Sequence, residues 1–179
     1  MAGSGPEPPT EPPRLTHVGA AGEVRMVDVS QRPTTTRWAH AAGVVRCSPA
    51  AVQAIRDGTA SKGDVLLTAR LAGIQAAKRT AELIPLCHPL ALTHVDVTAT
   101  ADAASGSVRL GATARCQGPT GVEMEALTAV AVAALTVIDM IKAVDPWASI
   151  AEVSLHEKAG GRSGTRRRPT GDGGSVEVG

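Results

Sequence analysis

Four short clusters in this chain hold residue types that carry acid–base or anion-binding chemistry. Asp139 and Lys142 are three residues apart, the spacing at which a carboxylate and an amine share one face of a helix and pair. Their neighbours are almost all apolar, and an amine in such surroundings shifts towards the neutral form that a general base needs. A plain salt bridge near a helix end is the other reading. Glu123 and Glu125 flank Met124. In a helix they project about 200° apart, so they cannot act as one carboxylate pair. One can face a substrate while the other faces a helix or strand, and both suit the N-terminal dipole. On pattern alone Met124 is a core residue. Cys87-His88-Pro89 falls in a loop, where sites concentrate, although a satisfied surface histidine beside a buried thiol also explains it. Lys62-Gly63-Asp64 puts an amine beside a helix N-terminus, whose amides favour anions; an ordinary capped helix start is the alternative.

Metal chemistry is not indicated. His94, Cys47 and Cys116 have no zinc-like spacing relative to Cys87 and His88. The three cysteines, Cys47, Cys87 and Cys116, lack a CxxC pair and cannot all be bridged, which suggests free thiols in a reducing cytoplasm. Geometry adds a constraint. Glu125 and Asp139 are fourteen residues apart on one expected helix. They project within about 40° of one another but ~21 Å apart along the axis. One small substrate cannot touch both in a single chain, so a shared site needs a second subunit.

The elements that must position these groups read as follows. Residues 24–29 form a short strand or an ordered arm. Residues 35–47 are extended, with Trp38, His40, Ala42, Val44 and Arg46 on one face. Ser48-Pro49 opens a helix that stops at Gly58. Asp64 caps a second helix whose apolar spacing runs through Leu83 to a stop at Pro85. Residues 92–101 alternate as a half-buried strand and residues 108–116 return as a hairpin partner. Residues 118–145 form a long Ala-rich helix, apolar on almost every side and therefore expected to be buried all round. Residues 149–158 are a last strand. This order predicts an α+β fold: a ferredoxin-like βαββαβ sandwich with an extra short helix, an antiparallel sheet and helices on one face. That fold hosts many functions.

Of the 179 residues, 1–13 and 162–179 are rich in Pro, Gly and charge and read as disordered tails, leaving 14–161 as one domain. There is no Phe or Tyr, and the two aromatics are Trp38 and Trp147, so the core is built from Ala, Val, Leu and Ile. Small residues bury little area each, and such a chain gains from burial between subunits. The net charge of +1 provides no global field towards nucleic acid or membrane. The Arg166-Arg167-Arg168 cluster is local, no apolar run reaches the ~20 residues of a membrane span, and the N-terminus lacks a signal-peptide pattern.

Three runs together closely resemble the cyclic pyranopterin monophosphate synthase family, the molybdenum cofactor biosynthesis protein C (MoaC) family. They are KGDVLLTARLAGIQAAKRT (62–80), LIPLCHPL (83–90) and GPTGVEMEALTAVAVAALTVIDMIKAVD (118–145). LTHVGAAGEVRMVDVS (15–30) and KAGGRSG (158–164) are similar to it as well. The resemblance implies a cytoplasmic enzyme that converts a cyclised dihydro-GTP, (8S)-3',8-cyclo-7,8-dihydroguanosine 5'-triphosphate, to cyclic pyranopterin monophosphate with loss of pyrophosphate. It implies no redox cofactor and a homohexamer, a trimer of dimers with sites at dimer interfaces. By residue, it implies catalytic roles for Lys62, Asp139 and Lys142. Substrate contacts would come from Leu86, Cys87 and His88, from Met124 and Glu125 with Glu123 beside them, and from Arg37, Lys78 and Lys158 as basic partners of the triphosphate. Ile138 departs from the family pattern, standing where an aromatic is expected; an apolar residue remains, so packing rather than chemistry should change.

The mechanistic expectation is that Lys142, held by Asp139, transfers protons, that Lys62 polarises the ring or stabilises phosphate charge, and that Arg and Lys groups bind the triphosphate. His88 and the two glutamates would orient the base. Mg²⁺ is chemically reasonable on the triphosphate, although no carboxylate cluster demands it. The alternative is a catalytically silent nucleotide-binding or scaffold paralogue.

Overall fold

The structure, a computed structural model, describes residues 23–161 and 164–169. Five strands, β1 (Thr35–Arg46), β2 (Leu92–Asp102), β3 (Ser107–Gly118), β4 (Ser149–Ala159) and β5 (Arg166–Arg167), form one antiparallel sheet in the order β2-β3-β1-β4-β5. The helices α1 (Pro49–Arg56), α2 (Val65–Ala77), α3 (Thr80–Leu83) and α4 (Glu123–Ile141) complete the chain. The long helices α2 and α4 pack against each other and on one side of the sheet, α4 over β1, β3 and β4 and α2 over β2. This is the ferredoxin-like α+β arrangement.

Local chemistry explains the element starts. The Ser48 hydroxyl accepts the Ala51 N–H at 3.3 Å with Pro49 in the first turn, and the Asp64 carboxylate accepts the Leu67 N–H at 2.9 Å. On β2 the alternation holds, with Val97 fully buried between exposed Asp96 and Thr98. The layer between sheet and helices is made of small residues: Ala39, Ala41, Ala112 and Ala114 from the strands meet Ala126, Ala129, Ala133 and Ala134 from α4.

The structure departs from the sequence reading at several points. The helix expected to run from Asp64 through Leu83 breaks at residues 78–79. The Arg79 N–H bonds the Ala76 carbonyl, only three residues back, and the buried Thr80 hydroxyl donates to the Ala77 carbonyl at 3.0 Å, so this hydroxyl competes for the carbonyls a continuous helix would use. Residues 24–29 follow an irregular arm, with a single bridge at Val24. Part of the segment placed outside the domain joins the sheet: Arg166 and Arg167 pair with Lys158 and Glu157 on β4, with the Arg167 guanidinium 2.9 Å from the Glu157 carboxylate. Residues 1–13 lie outside the described residues.

Helix α4 is not buried all round. Its sheet face is fully buried, but Leu135 is 57 % exposed and Leu67 and Leu71 on α2 are half exposed. By length and composition this 19-residue helix, α4, is long and apolar enough to cross a membrane, contrary to the sequence reading. Burial against the sheet and α2 accounts for that composition.

The two long helices approach closely at Gly73. A Cβ built there lies 2.9 Å from the Ala129 backbone carbonyl and 3.2 Å from Val97 Cγ1. Gly73→Ala adds helix propensity worth about 1 kcal/mol. The obstructing atom is backbone, however, and parting two packed helices costs about 1–3 kcal/mol. The variant is expected to be the less stable protein in urea unfolding. A midpoint at or above that of the parent would show that α2 and α4 separate freely.

Candidate active site

The groups singled out in the sequence fall at the two ends of α4. At its C-terminal end, two lysines from different elements converge on one carboxylate. Asp139 and Lys142 pair across one turn, Nζ to Oδ1 at 2.7 Å, and Lys62 reaches the other oxygen, Oδ2, at 2.6 Å. Lys62 is placed by the turn between α1 and α2, just before the Asp64 cap. Hydrogen bonds from Lys142 and then Lys62 hold the Asp139 carboxyl down at about 2. All three side chains are about half exposed, so the pairs add little stability. What the triad supplies is a fixed cluster with one positive charge in excess. The apolar shielding expected around Lys142 is not provided by this chain, in which the lysine is exposed.

At the N-terminal end, a cavity of about 270 Å³ is lined by Leu86, Cys87, His88, Met124 and Glu125. The loop carrying the first three is turned by a Cys87 N–H to Ile84 carbonyl bond of 3.0 Å. His88 Nε2 lies 2.7 Å from the Val27 carbonyl. A carbonyl only accepts, so Nε2 carries the proton, and in the neutral ring Nδ1 is the acceptor. Met124 is 37 % exposed at the cavity rather than in the core. Glu125 is 4 % exposed, and burial followed by the charge of Glu123 pushes its carboxyl up to about 7. Burial and then Glu125 raise the Cys87 thiol, which stays protonated at neutral pH and is no ready nucleophile.

Glu123 turns the other way, as the helical spacing requires, and accepts from Lys158 Nζ of β4 at 2.8 Å. Beyond this pair lies a second cavity of about 220 Å³, lined by Arg37 and Lys158 among others. Arg37 donates to the Pro119 carbonyl at 3.5 Å, while its buried Nε has no partner. Gly160 and Gly161 close over this guanidinium with φ of +110° and +69°; a Cβ on Gly161 would strike Arg37 Nη1. Only glycine accommodates both the backbone angle and the contact. Lys78 lies apart, exposed at the C-cap of α2 and lining neither cavity. Sequence reasoning missed Arg32, Thr120 and Gly121, which line both cavities.

One larger hollow carries none of the predicted residues. It measures about 750 Å³, lies on the open face of the sheet and is lined by Arg56, Asp102, Arg109 and His156 with small residues. Among the described residues, no group of three or more His, Cys, Asp and Glu side chains is arranged to hold a metal.

The carboxyl of Glu125 has a consequence for stability. Its folded-state value of about 7 lies above the free value of 4.5, so the native state keeps a proton that the unfolded chain has lost between those limits. Stability is therefore lost as pH rises through that window. Glu125→Gln, which cannot ionise, is expected to gain stability over the parent as pH rises from about 4.5 to about 7. Urea midpoints at both ends of the window measure this. A parent–variant difference that does not change with pH would mean that Glu125 titrates as an ordinary surface glutamate.

Comparison with known proteins places this geometry. The sequence profile described as the MoaC family matches residues 26–161. A relative from Chloroflexus aurantiacus, named cyclic pyranopterin monophosphate synthase, is 57 % identical over 155 residues, covering 87 % of this chain and 95 % of the relative. One of the same name from Methylobacterium sp. (strain 4-46) is 58 % identical over 151 residues, 84 % of this chain and 94 % of its own. Cyclic pyranopterin monophosphate synthase 1 of Mycobacterium tuberculosis is 55 % identical over 158 residues, 88 % and 92 % of the two chains. The match takes in both ends of α4, the histidine loop and the glycines over Arg37, and the chain belongs to the MoaC family.

Proposed function

We propose that this protein is a cyclic pyranopterin monophosphate synthase of molybdenum cofactor biosynthesis. It converts the cyclised dihydro-GTP intermediate to cyclic pyranopterin monophosphate and releases pyrophosphate. The observation that carries this reading is the convergence of Lys62 and Lys142 on the two oxygens of Asp139. One carboxylate fixes two amines at a set separation, one to move a proton and the other to meet developing negative charge. At the far end of α4, the cavity of His88, Met124 and Glu125 suits the base-derived ring, and the cavity of Arg37 and Lys158 suits the phosphates. Any Mg²⁺ would arrive on the triphosphate, and no redox cofactor takes part.

Both ends act on one substrate only if a second copy brings its lysine triad to the first copy's cavities. A homohexamer built as a trimer of dimers does this. The exposed Leu67, Leu71 and Leu135 on the helix layer support the burial of further surface between copies. The closing of the site by a neighbour would also supply the desolvation that Lys142 lacks in one chain. We place the enzyme in the cytoplasm, in keeping with its three free cysteines.

Lys62→Ala and Lys142→Ala are expected to lower turnover by roughly 10²–10⁴-fold with the fold intact, with cyclic pyranopterin monophosphate and pyrophosphate measured together. Near-normal turnover in either variant would remove that lysine from the mechanism. Binding of the intermediate without either product, in the parent protein, would make the chain a silent paralogue. Mixing two inactive proteins, Lys142→Ala and His88→Ala, is expected to restore part of the activity through mixed oligomers, in which some sites draw both intact residues from different copies. No restoration after verified subunit exchange would place the whole site within one chain.

A further inference from the structure

Lys62 and Lys142 reach Asp139 from two different elements, so their separation is fixed only if those elements are fixed to each other. Lys142 is the C-cap residue of α4. Lys62 stands between the end of α1 at Arg56 and the Asp64 cap of α2. Among the described residues α1 rests on β2 rather than on α4. Packing alone therefore ties α1 only loosely to the helix that carries Asp139 and Lys142.

One buried side chain bridges this gap. Asp145 lies just past α4, and its N–H bonds the Ile141 carbonyl at 2.9 Å, so it continues the turn that holds Lys142. Its carboxylate is 9 % exposed and uses both oxygens. Oδ2 accepts the Ser48 N–H at 2.6 Å, joining residues 97 positions apart, and Oδ1 accepts the Trp147 N–H at 3.1 Å. Ser48 is the N-cap of α1. Such a carboxylate is costly to bury, and Asp145 has no ion pair among the described residues to offset that cost. The Cys47 thiol beside it is pushed up to about 11 by burial and then by the charge of Asp145, so it stays protonated at neutral pH and offers no counter-charge. What the group supplies is geometry: the end of α4 held against the start of α1.

We infer that Asp145 is a positioning residue for the reaction, setting the distance between Lys62 and Lys142 at Asp139 by tying α1 to α4. This rests on the function proposed above and goes beyond the residues assigned there. Asp145 lines neither cavity at the other end of α4, and backbone N–H groups occupy both its oxygens, so it acts through the backbone. Without the bond to Ser48, α1 and the turn after it can shift from α4, and Lys62 moves with them. Lys142 keeps its bond to Asp139 within one helical turn. A displacement of about 1 Å at a reacting group can cost about 100-fold in rate. The loss should fall on kcat, through Lys62.

The test compares the full-length parent with Asp145→Ala, Asp145→Ser and Asp145→Asn. Crystal structures read the distance from Lys62 Nζ to Asp139 Oδ2, which is 2.6 Å in the parent, and kinetics with the cyclised intermediate read kcat and KM. In Asp145→Ala the distance should open beyond about 3.5 Å, past hydrogen-bond reach, while the Lys142 bond persists. Its kcat should fall roughly 10- to 100-fold with KM changed by less than about threefold. Asp145→Ser is too short to reach Ser48 but keeps a polar group, and it should show the same two changes if Asp145→Ala does not fold. Asp145→Asn, which retains one acceptor oxygen, should fall between Asp145→Ala and the parent. In a Lys62→Ala background, Asp145→Ala should lower kcat by no more than about twofold further, because the group it places is gone. Leu110→Ala, which opens a cavity in the core at β3 away from this tie, should lose stability and keep the parental kcat. Parental kcat in the folded Ala or Ser variant, an unmoved Lys62, or an undiminished loss in the Lys62→Ala background would overturn the assignment. If the parent failed to turn over the intermediate but Lys62 still left Asp139 in Asp145→Ala, the proposed reaction would fall and the tie would stand.

Discussion

The hydrogen-bond ladder of α4 is the constraint on which the rest of the molecule depends. Nineteen residues in one uninterrupted helix form a rod, and a rod keeps its ends apart. Glu123, Met124 and Glu125 start it; Asp139 and Lys142 finish it. The Ala-rich layer beneath, and the glycine on α2 that lets the two long helices touch, hold this rod on the sheet. Bending it to bring its own ends together would break the core. One small substrate cannot reach both ends of a helix of this length in a single copy.

The two ends also sit in opposite electrostatic settings. The lysine triad is exposed and charged, with the acid depressed by its partners. Glu125 is buried beside two thiols and has no ion pair among the described residues, and burial holds its proton. A carboxylic acid thus stays ionised at one end of the helix and keeps its proton up to about pH 7 at the other. Asp145, buried just past the helix, anchors the charged end: it accepts the Ser48 N–H at 2.6 Å and the Trp147 N–H at 3.1 Å, tying the end of α4 to the start of α1. That tie sets where Lys142 can reach.

Much of this was legible in the chain because it is local. The Asp64 cap, the alternation through Val95 and Val97, and the three-residue step from Asp139 to Lys142 each have a short-range physical cause. The incompatibility of Glu123 and Glu125 as a pair followed from helical angle alone, and the two side chains do part, one to Lys158 and one to the cavity. What was not legible depends on contacts far apart in sequence. The break at residues 78–79 follows from the burial of one threonine hydroxyl. The strand β5 has no apolar pattern and is held by backbone pairing and Glu157. Arg32 lies on an arm whose Val27 carbonyl is held by a histidine sixty-one positions further on. Lys78, which the family resemblance places near the phosphates, stands at the C-cap of α2 and lines neither cavity of a single copy.

The scarcity of aromatic residues has an optical consequence. With no Tyr or Phe, all intrinsic fluorescence comes from Trp38 and Trp147. Trp147 is 89 % exposed, an indole largely in solvent, whereas Trp38, next to Arg37 on β1, lines the smaller cavity. Replacing Trp147 with a non-aromatic residue would leave one chromophore, lodged in the wall of the site. The protein would then carry its own single-point reporter of what enters that cavity, without a label.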